Sequence, residues 1–135
     1  MSGLVIKLAP HERMLVNGAV IENGDRRTRL SIVTPNASIL RLRDAIHPEQ
    51  ANTPVRRVCY LAQLVLSGDA CATATRPQLL RDIEQLAQVF SDAQCQSLLR
   101  QAACDVVGNE PYRVLRALRA LLPHEERLMS VAGRA

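Results

Sequence analysis

Residues 12–24 read ERMLVNGAVIENG, which is two short β-rich runs, each followed by an Asn-Gly pair. Asn-Gly supplies the positive φ angles that a tight hairpin turn requires. Two such pairs six residues apart, at Asn17-Gly18 and Asn23-Gly24, are typical of strands that pair in sequence order. This stretch therefore predicts a β-meander with a turn at each pair.

Three further runs flank this stretch. Leu4–Leu8 is rich in β-forming residues, and residues 28–33 alternate apolar Leu30 and Ile32 with polar side chains on the other face. Residues 38–43 read as a last strand. Together these runs predict a small, twisted antiparallel sheet.

Near residue 50 the hydrophobic period changes from two to that of helices. Residues 47–52 form a polar connector, and Thr53-Pro54 suits a helix start because threonine can cap and proline is tolerated in the first turn. A loop is expected at residues 70–75. Apolar helical stripes cover residues 55–65, 79–90, 95–106 and 112–122, and the last is kinked or ended at Pro123.

These patterns predict an α+β fold. A β-rich N-terminal lobe, residues 1–50, precedes a helical lobe, residues 51–135, which is a bundle of about four helices. With 135 residues, of which 47% are hydrophobic, the chain can form one unit with a shared core.

Composition indicates a cytoplasmic protein without a metal or a cofactor. No apolar run is long enough to span a membrane, and the N-terminus shows no export signal. The four cysteines form no close pair and lie far in sequence from the three histidines. Buried thiols in helices are therefore favoured over a metal site.

Patterns that indicate catalysis are missing. The six glycines are single, so no phosphate-binding loop is present. Two His-Glu pairs begin a zinc-protease pattern, but leucine replaces the second histidine in both, at Leu15 and Leu128. Adjacent Glu125 and Glu126 would not share a helix face. We predict no catalytic residues and no enzymatic activity.

The formal charge of +4 lies in the first half of the chain. Residues 1–57 carry nine basic and five acidic side chains, whereas residues 58–135 carry eight of each. Sixteen of the seventeen basic residues are arginine. The planar guanidinium of arginine donates paired hydrogen bonds to phosphate and stacks on bases. The excess is compatible with nucleic-acid binding, but it is modest, and a GC-rich genome also raises the arginine count.

The three aromatic residues, Tyr60, Phe90 and Tyr112, fall on or beside the apolar stripes, where core packing is favoured. The predicted sheet has none. An RNA surface on it would rely on arginine, backbone amides and hydrogen bonds to base edges rather than on aromatic stacking.

Residues 8–18 resemble the Leu-x-Pro-His-Glu-Arg opening of the FlbT family. Residues 21–30, 39–46, 53–60 and 112–118 resemble further blocks of that family, so the resemblance covers almost the whole chain. It implies a post-transcriptional regulator of flagellum biogenesis that binds the 5′ untranslated region of flagellin mRNA. It implies repression, with activation in some relatives, and flagellin or a FlaF-type regulator as a protein partner. Exposed helical faces leave a homo-oligomer open.

A shorter resemblance, through the order of strands, the Pro35-Asn36-Ala37 turn and the arginine-rich strand, is to the CsrA group of mRNA-binding regulators. That group reads RNA with a strand edge and a nearby arginine.

The arginines of the first lobe are the predicted RNA surface. Arg56 and Arg57 at the start of the first helix are equally open to extending it or to forming salt bridges within the helical bundle. Arg41 and Arg43 share a face of the last predicted strand because side chains alternate with period two. The alternative is a solvated sheet face, partly neutralised by Glu22, Asp25 and Asp44. The predicted RNA-binding residues are Arg26, Arg27, Arg29, Arg41, Arg43, Arg56 and Arg57.

His11 and Glu12 lie at the Pro10 turn, where a structural role is favoured over RNA contact. A different class of function is also open, in which the chain is a protein-interaction module and affects RNA only indirectly.

Overall fold

The computed structural model describes residues 4–17, 19–35 and 37–133. Within these ranges five strands precede five helices, which confirms the predicted α+β class. The strands are β1 Leu4–Leu8, β2 Arg13–Val16, β3 Ala19–Glu22, β4 Thr28–Ile32 and β5 Ile39–Arg41. The helices are α1 Pro54–Ser67, α2 Ala72–Val89, α3 Ala93–Val107, α4 Pro111–Arg119 and α5 Leu122–Gly133.

The strands form two small sheets, so the expectation of a single meander is wrong. β1 pairs with β4, and Leu8 lies opposite Thr28. β2 pairs with β3 on one side and with β5 on the other. All pairs are antiparallel. The β2–β3 hairpin is therefore inserted in the chain between two strands that pair with each other.

The two Asn-Gly pairs behave differently. At the first pair, Asn17 has a φ of 49° and β2 turns into β3, as predicted. Gly18 of this pair lies outside the described residues, and so does Asn36 of the later predicted turn. The second pair does not form a hairpin. The Asn23 side-chain amide donates to the carbonyl oxygens of Ala9 and Arg26, both at 2.8 Å. These bonds hold the segment between β3 and β4 beside the end of β1.

The last strand is shorter than predicted. β5 ends at Arg41, and Leu42–Asp44 forms a 3₁₀ turn, which Ala45 closes by donating its N–H to the Leu42 carbonyl at 3.1 Å. The expectation that Arg43 continues the strand is therefore wrong, and strand alternation does not explain where its side chain lies.

Local capping fixes the first helix as predicted. The Thr53 hydroxyl accepts a hydrogen bond from the Arg56 N–H at 3.2 Å, and Gly68 ends α1 with a φ of 87°. The loop expected at residues 70–75 is wrong from Ala72 onward, because α2 starts there. Residues 72–75, the first turn of α2, are alanine and small polar residues. They form helix but carry no apolar stripe, so the sequence pattern does not indicate it.

Two apolar clusters form the interior of the part of the chain that the structure describes. The larger lies among the helices and includes Leu40 from β5. The smaller lies among the strands and consists of Ile6, Leu8, Met14 and Ile39. Tyr112 of α4 packs against both clusters. None of the described helices is long and apolar enough to cross a membrane.

Candidate nucleic-acid interface

A groove on the first lobe collects five cationic side chains. Because β1 pairs with β4, the end of β1 comes to lie beside the start of β4, and Arg41 and Arg43 approach from the end of β5. The groove encloses about 700 Å³. We call it the basic groove, and it is lined by Lys7, Leu8, Ala9, Arg27, Thr28, Arg29, Arg41 and Arg43.

Two of the cations face each other directly. Lys7 of β1 is the register partner of Arg29 of β4, and both are exposed. Like charges opposite each other in a sheet destabilise the pair. In the described part of the chain, the side chains of Lys7, Arg27 and Arg29 form no hydrogen bond or ion pair with a protein group. This part of the groove therefore presents unneutralised charge to solvent.

Arg41 occupies the groove differently, because its guanidinium is held by Glu12. Its Nε and Nη2 donate to the two carboxylate oxygens of Glu12, each at 2.7 Å. The same Nη2 also donates to the Lys7 carbonyl at 2.7 Å. Only 15% of the Arg41 side chain and 8% of the Glu12 side chain are exposed. Arg41 therefore stabilises the groove wall, and its guanidinium is already paired with a carboxylate.

Glu12 has the structural role expected of it. Hydrogen bonds from Arg41 lower the pKa of Glu12 to about 2, although burial acts in the opposite direction. The Ala9 N–H donates to the same carboxylate at 2.9 Å. The preceding residue, His11, has a φ of 61° and donates its N–H to the Gly24 carbonyl at 2.8 Å. These contacts fix the turn between β1 and β2.

Arg43 reaches the groove from the 3₁₀ turn. Its Nε lies 3.6 Å from Glu12 Oε2 and 3.9 Å from Asp44 Oδ1, and 59% of the side chain is exposed. Arg41 and Arg43 do converge as predicted, but through their shared approach to Glu12 and not through strand alternation. Asp44 is also closer to Arg119, at 3.1 Å, so it neutralises Arg43 only weakly.

The remaining predicted residues do not line the basic groove. Arg26 belongs to the loop before β4, where its carbonyl accepts from Asn23. Arg56 lies in the first turn of α1 and donates to the Asn52 side chain at 3.3 Å, and it lines a separate groove against α5. Arg57 is exposed on the same turn. The structure thus brings together four of the seven predicted arginines: Arg27, Arg29, Arg41 and Arg43.

Sequence reasoning missed a pocket on the other side of Arg41. Its volume is about 200 Å³, and it lies between β5 and α4. We call it the Tyr112 pocket; it is lined by Ile39, Leu40, Arg41, Asp44, Tyr112, Leu115, Arg116 and Arg119. The helical spacing of Tyr112, Arg116 and Arg119 places them on one face, which was a usable signal. The balanced charge of residues 58–135 hides this face in the overall composition.

The cysteines depart from the expectation that all are buried. Cys59 and Cys95 are buried, whereas Cys71 and Cys104 are exposed, and all four are free thiols. Burial raises the pKa of Cys59 to about 12.

The cysteines and histidines are far apart in sequence, but the fold brings three possible metal-ligating side chains together. Ligating atoms of Asp92, Cys95 and His124 lie within 4.8 Å of one another. Two contacts already engage members of this cluster. Asp92 caps α3 by accepting from the Cys95 N–H at 3.2 Å, and the cationic Arg127 Nη2 lies 2.9 Å from His124 Nδ1.

Comparison with known proteins identifies the family. Residues 4–129 match the family model described as flagellar protein FlbT. A relative in Chelativorans sp. (strain BNC1), named a probable flagellum biosynthesis repressor protein FlbT, is 35% identical over 96% of this chain and 87% of its own length. A relative of the same description in Bradyrhizobium diazoefficiens is 35% identical over 93% of this chain and 84% of its own.

A third relative of that description, in Caulobacter vibrioides (strain NA1000 / CB15N), is 31% identical over 96% of this chain and 92% of its own length. No solved structure matches the chain. The chain belongs to the FlbT family, which confirms the resemblance found in the sequence. The relatives are named as regulators of flagellar synthesis, and none of these three names describes an enzyme.

Proposed function

We propose that this chain is a cytoplasmic post-transcriptional repressor of flagellin synthesis in flagellum biogenesis. It binds the 5′ untranslated region of flagellin mRNA and promotes decay of the message or blocks its translation. The names of the relatives support the repressor part of this proposal. The observation that supports the RNA part is the basic groove, in which Lys7 faces Arg29 across two paired strands.

The groove needs an anion that the described protein residues do not supply. Glu12 lies beside it, but its carboxylate is already engaged by Arg41. The repulsion between Lys7 and Arg29 is relieved when a phosphate group lies between them. Neighbouring Arg27 and Arg43 then extend the contact along a polyanion.

The test is direct binding of the purified protein to a labelled flagellin leader RNA at two salt concentrations, with an unrelated leader as competitor. Affinity for a single strand falls with salt by a log–log slope of about 0.7 for each phosphate contact. The double variant Arg27→Ala, Arg29→Ala should therefore bind more weakly and lower the slope by about 1.4.

A matched control removes the same charge elsewhere. Arg81 and Arg100 are exposed on α2 and α3, which do not line the groove. The variant Arg81→Ala, Arg100→Ala should keep both the affinity and the slope. Absence of binding, or equal binding to the competitor, contradicts the proposal.

A second function is favoured by an exposed apolar surface on α5. Leu128, Met129 and Val131 are 49%, 53% and 67% exposed. Such a surface suits a protein partner, here flagellin or a FlaF-type regulator, and RNA effects would then be indirect. A pull-down of each partner with wild type and with Leu128→Glu tests this function. The variant should fail to capture the partner, and neither the wild type nor the variant should bind the leader RNA selectively.

A further inference from the structure

The Tyr112 pocket and the basic groove share one wall. Arg41 lines both, and Glu12 and the Lys7 carbonyl hold it in place. The two cavities are therefore adjacent, separated by the Arg41 side chain. The two cavities also differ in kind, since the groove is lined mainly by cations and the pocket has a partly apolar wall.

The pocket combines apolar side chains with hydrogen-bonding groups of both signs. Ile39, Leu40 and Leu115 supply the apolar part, and all three are buried. Arg116 is exposed, and among the described residues its side chain has no protein partner. Asp44 supplies the acceptor: its Oδ2 pairs with Arg119 at 3.1 Å, whereas its Oδ1 lies 3.9 Å from Arg43, beyond hydrogen-bond distance.

The size of the pocket limits the occupant. Pockets for drug-sized ligands enclose roughly 300–1,000 Å³, so a pocket of about 200 Å³ accepts a smaller group. An unstacked RNA base is such a group, and it is recognised through its faces and its edges.

We propose that the Tyr112 pocket binds one unstacked guanine of the RNA whose backbone lies in the basic groove; this inference rests on the proposed function. Guanine is selected because it carries the N7 and O6 acceptors that suit the fork of Arg116 and also a donor, the N2 amino group, that suits the carboxylate of Asp44. Adenine pairs an acceptor with a donor on its N7 edge, and uracil lacks that edge. The aromatic ring of Tyr112 and the guanidinium of Arg119 line the pocket, and they are the groups there of a type on which bases stack.

The test uses uridine dodecamers that carry one central guanosine, adenosine or inosine, with the all-uridine oligomer as reference. Fluorescence anisotropy of the labelled oligomers measures affinity. The guanosine oligomer should bind at least about tenfold more tightly than the adenosine and all-uridine oligomers. Inosine lacks the N2 amino group and should fall between guanosine and uridine, since the contact to Asp44 is lost.

Protein variants then locate the preference. Arg116→Ala should bring the affinity for the guanosine oligomer down to near that for the all-uridine oligomer. Arg113→Ala, on the same helix but outside the pocket and paired with Glu110, should retain the full preference. Arg27→Ala, Arg29→Ala should weaken binding of every oligomer by a similar factor and leave the preference intact. Equal thermal midpoints of Arg116→Ala and Arg113→Ala exclude misfolding as the cause.

The outcomes separate this inference from the proposed function. Salt-dependent binding without a guanine preference overturns the base pocket and leaves the groove standing. A guanine preference that survives Arg116→Ala also overturns it, because another surface then reads the base. Failure of every oligomer and of the flagellin leader to bind overturns both.

Discussion

Glu12 and Arg41 form a two-point ion pair, with both nitrogen–oxygen distances at 2.7 Å, between residues 29 positions apart in the chain. The pair lies between the turn before β2 and the end of β5, two strands that pair in one sheet. Arg41 also donates to the Lys7 carbonyl of β1, which belongs to the other sheet, so Arg41 links the two sheets and supports the groove wall.

Arg41→Ala should lower the stability of the fold as well as RNA affinity. Removing one partner of a largely buried pair leaves the other charge unpaired, which costs about 3–5 kcal/mol when burial is complete. Arg27→Ala, Arg29→Ala should change the free energy of unfolding by less than about 0.5 kcal/mol. Urea unfolding of both variants checks this. Equal stability would show that the Glu12 pair does not support the groove.

The Glu12 pair should make stability depend on acid pH. The folded pKa of Glu12, about 2, lies below its ordinary value of 4.5, so the contribution is complete above pH 4.5 and is lost as the pH falls towards 2. Glu12→Gln removes this component. Urea midpoints measured at pH 7, 4 and 3 should therefore fall more steeply for wild type than for the variant. Parallel curves would contradict the assignment.

Glu125 should be needed for the start of α1, whereas its neighbour should not. The buried Glu125 carboxylate accepts from the Thr53 hydroxyl and, at 2.9 Å, from the Val55 N–H. Glu125→Ala leaves these donors unsatisfied, at about 1–3 kcal/mol for each. Glu126 is exposed, and Glu126→Ala should cost less than about 0.5 kcal/mol. Thermal unfolding compares the two, and similar losses would disprove the capping role.

The thiols should differ in reactivity. Cys71 is exposed at the start of α2, where the nearby backbone N–H groups of Ala74 and Thr73 lower its pKa, and the thiolate is the reactive form. Burial raises the pKa of Cys59 to about 12 and that of Cys95 to about 11. Iodoacetamide followed by peptide mass spectrometry at neutral pH should therefore find Cys71 alkylated first, with Cys59 and Cys95 modified only after unfolding. Early alkylation of Cys95 would contradict the buried position.

Features decided by nearby residues were predictable from the sequence. Thr53 and Gly68 bound α1 because capping and the left-handed φ are local properties. The alternation of Leu30 and Ile32 in β4 and the turn at Asn17 are equally local. The α+β order of the chain follows from such signals alone.

Features decided by distant residues were not predictable. Asn23 has the same turn chemistry as Asn17, but its side chain bonds to Ala9, which only the folded chain brings near. The partnership of Arg41 with Glu12 likewise depends on pairing between β2 and β5. The same holds for the Tyr112 pocket, whose two walls lie far apart in sequence. The sequence therefore predicts that Arg41 and Arg43 lie near each other, but not that the Arg41 guanidinium is already paired with Glu12.

The insertion of the β2–β3 hairpin between two paired strands sets an order for folding. Val16 and Ala19 meet across a two-residue loop, and a hairpin closes in about 1–10 μs. Leu8 and Thr28 must close a loop about ten times longer, which has a higher entropic barrier. The hairpin is thus expected to form first and to template β5. The cationic surface is then completed late, when β4 docks, so a nascent chain presents it only after the whole β-lobe has emerged.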